Sequence, residues 1–145
     1  MSLRRFTLVY IATLMALMVL VVLAQAVTGY DIANAGMSII PAMSAGMAEG
    51  QFFVRSKKRM PENAEMWHFA RQATVVMLGL TMVAVAIFSV AVPQIRFMLS
   101  QPSGGMLLLA AVLFQVALSF LLVRYFLGLG AKSALRAEQD RANKN

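Results

Sequence analysis

Four long apolar stretches run along the chain, Phe6–Val27, Ile32–Val54, Ala73–Val92 and Met106–Leu127, with short polar or turn-forming segments between them. At about 1.5 Å per residue, some twenty helical residues span a hydrocarbon core of about 30 Å. The pattern therefore predicts an all-α membrane protein, a single domain over 1–145 with four transmembrane helices at about 6–27, 32–54, 61–92 and 106–127. Arg4 and Arg5 precede the first span. Thr28, Gly29, Tyr30 and Asp31 then turn the chain, Tyr30 suiting the headgroup layer and Asp31 the start of the next helix. A basic start, an apolar run and Ala24-Gln25-Ala26 also outline a secretory signal. The apolar run exceeds the usual signal core of about 7 to 15 residues, which favours a retained span.

The second stretch is the least apolar, since Asn34, Ser38, Pro41, Ser44 and Glu49 interrupt it. Its order is nevertheless helical. Ser38, Ala42, Gly46 and Gly50 recur every four residues and predict a small-residue packing stripe, with Ile40, Met43 and Met47 toward lipid. Glu49 falls beside Ala42 and Ala45, so its carboxylate should face protein. Pro41 is expected to kink this span, and a re-entrant or interfacial segment is the alternative to a crossing.

Met60-Pro61-Glu62-Asn63-Ala64-Glu65 carries a helix start, with proline in the first turn and acids at its positive end. The helix should pass through Trp67 at the interface into the third span, which Pro93 ends. His68 stands alone at the membrane edge and reads as a surface residue. Gln94–Gly105 forms the next loop. The fourth span places Gln115 near mid-membrane, where it should seek a partner helix, and Arg124 near its end. Gly128 and Gly130 are expected to loosen the helix, leaving 131–145 as a solvated, partly helical tail.

Composition agrees with the pattern: 60% of residues are hydrophobic and 13% charged, too little polar surface for a soluble globule of 145 residues. Charge then sets orientation. Arg4, Arg5, Arg55, Lys57, Lys58, Arg59, Arg71, Lys132, Arg136, Arg141 and Lys144 fall on one side, eleven in all, against Arg96 alone on the other. That asymmetry predicts cytoplasmic N- and C-termini in a bacterial inner membrane. It also explains the net charge of +7 without nucleic acid. Arg55, Lys57, Lys58 and Arg59 could in addition contact anionic lipid. With no cysteine and one histidine, thiol chemistry is excluded, and neither metal nor cofactor is expected.

The costly residues share a layer. Glu49 and Arg124 both lie a few residues before the end of spans that run inward, so an intramembrane ion pair between them is expected. The sharper reading makes Glu49, with Tyr10, Gln51 and Gln72 nearby, a titrating group for proton-coupled transport.

Gly50-Gln51-Phe52-Phe53-Val54-Arg55, followed by Lys58, Arg59, Pro61, Glu65 and Trp67 between the second and third spans, resembles a family of small uncharacterised bacterial four-helix inner-membrane proteins. The resemblance covers most of the chain and implies four helices with this motif at the cytoplasmic edge, with no activity attached. Small multidrug transporters also combine four helices with one membrane glutamate. Theirs lies in the first helix, whereas Phe6–Val27 carries no acid. The expected function is therefore that of a non-catalytic multi-pass protein, an accessory subunit or self-associating scaffold whose partners are the bilayer and other membrane helices or copies of itself. The alternative is a small proton-coupled transporter using Glu49.

Overall fold

The computed structural model describes residues 1–29, 39–91, 93, 97 and 100–143. Among these it contains four helices and no strand: α1 Leu3–Thr28, α2 Ile40–Lys57, α3 Asn63–Ala91 and α4 Pro102–Ala142. Three of them, α1, α3 and α4, are long and apolar enough to cross a membrane. Packing follows the order α1, α2, α4, α3, with α3 closing back on α1.

Each boundary has a local cause. α1 starts at Leu3, earlier than the apolar run, because Ser2 adopts an extended cap conformation and takes Arg4 and Arg5 into the first turns. It ends at Gly29, whose φ of 71° lets its N–H return to Gln25 O at 2.9 Å. Among the described residues α2 starts at Ile40; the expected start at Ile32 falls on residues 30–38, which lie outside the described residues. Pro41 is buried in the first turn and does not kink the span, since its fixed φ and missing N–H suit that position. In α3 the Glu65 carboxylate accepts the Glu62 N–H at 2.9 Å, while Glu62 O accepts the Met66 N–H at 3.0 Å. This reaching back by a glutamate satisfies an end group of the helix, which begins at Asn63 beyond Pro61.

α4 departs most from expectation. It runs unbroken for 41 residues, about 60 Å, from Pro102 through Gly128 and Gly130 to Ala142. The glycines act as contact points. A Cβ on Gly130 would overlap the carbonyl of Met47, and the following turns bury Ala131 and Ala134 against Val54. Tertiary packing thus carries the helix past residues of poor helical propensity.

The main core gathers Phe6, Tyr10, Ala42, Ala45, Phe69, Ala70, Ala73, Met77, Val123 and Leu127. These lie toward the end that carries Arg4, Arg5 and Arg55–Arg59, hereafter the basic end. Toward the opposite end α1 exposes Met15, Met18, Val19, Val22 and Leu23, and α4 exposes Met106, Leu107, Leu109, Leu113 and Phe114. α2 is the internal helix, burying Ala42, Ala45, Gly46, Glu49, Gly50, Phe53 and Val54. A helix that faces protein on most sides need not be strongly apolar, which is why its composition is the weakest of the four.

Candidate functional site

Glu49 is 2% exposed. Its Oε1 accepts the backbone N–H of Ser2 at 2.5 Å, and its Oε2 is buried without a hydrogen-bond partner among the described residues. The donor is the capping residue of α1, whose third helical residue is Arg5, a side chain that cannot reach back as an acceptor. Glu49 supplies that acceptor from another helix. The carboxylate also sits at the positive end of α1, a favourable place for negative charge. One turn or more away, the hydroxyls of Ser44 and Thr13 lie 3.0 Å apart and tie the same two helices again.

Arg124 does not meet Glu49, contrary to the expected ion pair. Its Nη2 donates to Asn63 Oδ1 at 2.8 Å and its guanidinium lies 4.2 Å from the centre of the Trp67 ring, with Nε buried and unpartnered. Helical phase explains the separation. α4 turns Val123, Leu127 and Ala131 toward α2, and Arg124, about 100° round from Val123, faces α3. Glu49 is likewise displaced from Gly50 toward α1. The two charges share a layer but point at different neighbours.

The small-residue stripe is placed as follows. A Cβ on Gly46 would come 3.0 Å from Val123 O, and one on Gly50 would overlap Leu127 O and lie 2.9 Å from Ala131 N. Ala42 is fully buried, and Ser38 lies outside the described residues. Met43 and Met47, expected toward lipid, are half-buried, and the backbone of Met47 meets Gly130. Sequence reasoning missed Gly130, although Gly130 and Ala134 form a small-x-x-x-small pair that could have flagged it.

The basic cluster is partly consumed within the protein. Lys58 Nζ pairs with Glu138 at 2.6 Å, and Arg59 holds both oxygens of Glu65 at 2.8 and 2.9 Å. The bond to Glu65 raises the Arg59 pKa above its ordinary value. Arg55 and Lys57 form no ion pair among the described residues and stay exposed on the last turn of α2. Two cations also lie over aromatic rings, Arg5 4.4 Å from the centre of Phe52 and Arg59 5.2 Å from that of Phe53. His68 is exposed, and so is Arg71, which sequence reasoning had used only as a charge on one side.

Two cavities meet at Arg71. One, of about 610 Å³, is lined by Met1, Phe53, Glu65, His68, Arg71 and Gln72. The other, of about 490 Å³, is an apolar groove between α3 and α4. Among the described residues, no group of three or more His, Cys, Asp or Glu side chains could hold a metal ion. The arrangement contains a buried carboxylate with one free oxygen and a cation at a groove mouth. No family model matches the chain, and neither the curated proteins nor the solved structures provide a match.

Proposed function

We propose that the chain is a four-span protein of a bacterial cytoplasmic membrane, with both termini cytoplasmic, that works by helix association as an accessory subunit or self-associating scaffold and not as an enzyme. The observation that carries this reading is Gln115. It lies nine residues, about 13 Å, from Arg124 along α4, is only partly covered by its own chain, and has no hydrogen-bond partner among the described residues. A side-chain amide at that depth is costly in lipid and is satisfied by a polar group on another helix. Phe114 beside it is exposed and supplies the apolar contact such a helix needs.

A photo-reactive residue at position 114, with the chain in its native membrane, tests this. Adducts to a second copy or to one defined membrane protein support association, and their loss with Gln115→Leu assigns the amide. Adducts to lipid alone overturn the reading.

The free Oε2 of Glu49 favours a second reading, proton-coupled transport through the carboxylate. In liposomes that reading requires a pH-gradient-driven flux which Glu49→Gln abolishes without loss of thermal stability. Absence of any flux removes it.

A further inference from the structure

We propose that the α3–α4 groove seats one phospholipid with an anionic headgroup, its phosphate on Arg71 and an acyl chain along the groove. Arg71 lies inside a helix apolar enough to cross a membrane, yet it has no ion pair or hydrogen bond among the described residues. An unpaired cation at such a depth is costly unless its head reaches water or an anion at the interface.

Geometry directs it there. Arg71 is one helical turn, about 6 Å, beyond Trp67, and the side chains of a helix tilt toward its N-terminus, here the basic end. Its guanidinium thus rises to the level where Arg124 covers the Trp67 ring, the level expected of lipid phosphates. His68 and Gln72 line the same recess and offer further polar groups. Glu65 also borders it, but both its oxygens are held by Arg59 and the Glu62 N–H, so it does not act as the counter-ion of Arg71. Below Arg71 the groove is walled by Thr74 and Val75 of α3 and by Leu113, Val116, Ala117 and Phe120 of α4. The α4 residues follow i, i+3, i+4, i+7 spacing and form one continuous apolar face along the helix. A cation at the mouth of an apolar slot of about 490 Å³ fits an anionic head on a hydrocarbon tail.

The inference rests on α3 lying in a membrane, though not on the association reading above. The full chain in mild detergent is titrated with phosphatidylglycerol or phosphatidylcholine, and bound lipid is counted by native mass spectrometry. Phosphatidylglycerol should bind preferentially, and Arg71→Gln should weaken it about fivefold, the factor one cation near an anionic surface provides. Arg71→Lys should retain most of the preference. Val116→Trp should block both lipids with every charge in place, and the paired change Arg55→Gln with Lys57→Gln should leave the preference intact. Equal binding of the two lipids, or a preference that follows Arg55 and Lys57, overturns the site. Release of the chain from liposomes by alkaline carbonate would overturn the membrane reading itself.

Discussion

The backbone N–H of Ser2 and the carboxylate of Glu49 stand 2.5 Å apart across 47 residues of sequence, and they fix the start of α1 against the middle of α2. The contact gives the buried acid a structural task. Glu49→Ala should therefore leave a donor unpaired and lower stability by about 1 to 3 kcal/mol, while Glu49→Gln, which keeps an acceptor oxygen, should lose less. Ser2→Pro removes the donor itself, so its loss and that of Glu49→Ala should not add. By contrast Glu49→Gln and Arg124→Leu, on different partners, should be additive within about 0.5 kcal/mol. Double-mutant cycles of unfolding in detergent measure both, and strong coupling of Glu49 to Arg124 would contradict the observed partners.

The α2–α4 crossing depends on glycines at specific points. Gly50→Ala and Gly130→Ala each drive a methyl group into the facing backbone and should destabilise by about 1 to 3 kcal/mol. Gly46→Ala, tight against Val123 O at 3.0 Å, should cost less, and Gly79→Ala, facing open space within a helix, should be neutral or stabilising. Melting temperatures of the four variants in one detergent test the ranking. A Gly79 variant as damaged as the Gly130 variant would show that these contacts do not govern stability.

Much of this architecture is legible in the chain. The apolar runs give the helices, and the four-residue spacing of Ala42, Gly46 and Gly50 gives a packing face, because helix periodicity is a local property. The partners are not local. Ser2 contributes a backbone N–H that every residue except proline possesses, so nothing in its identity announces the bond to Glu49. Gly128 and Gly130 read as helix breakers because propensity is counted against water, whereas the facing backbone of Met47 makes Gly130 a requirement. The phase of Arg124 around α4 is settled only once Val123 and Leu127 are known to face α2.

At the end of α2, Lys58 takes a left-handed conformation, φ 56° and ψ 24°, while its N–H closes the helix on Val54 O at 2.7 Å. A Cβ makes that conformation unfavourable, and the ion pair of Lys58 with Glu138 is largely exposed and weak. Lys58→Gly should thus stabilise by up to about 1 kcal/mol despite losing the pair. Lys58→Ala retains the strained backbone without the pair and should destabilise slightly. Thermal unfolding in detergent distinguishes the two, and destabilisation by both would mean that the pair, and not the backbone, dominates.

Two contacts fix which end of the bundle the start of α1 shares with α2. Ser2 meets Glu49, and Arg5 lies over Phe52, so the start of α1 is level with the middle of α2. Since α1 carries the chain away over 26 residues, about 39 Å, the chain has returned to its starting level by Glu49. Arg59 then lies at the same end of the bundle as Arg5, and on the proposed topology the excess of Lys and Arg there predicts that this end is cytoplasmic. Reporter fusions after Arg59 and after Ala142 should read as internal, and fusions after Tyr30 and Met98 as external. The final turns of α4, beyond Ala134, should be open to protease from the cytoplasmic side, because a 41-residue helix is about twice as long as the hydrocarbon is thick. Opposite readings at the N-terminus and after Arg59 would be incompatible with the Ser2–Glu49 and Arg5–Phe52 contacts in a membrane-crossing α1, and external readings at both would overturn the cytoplasmic orientation.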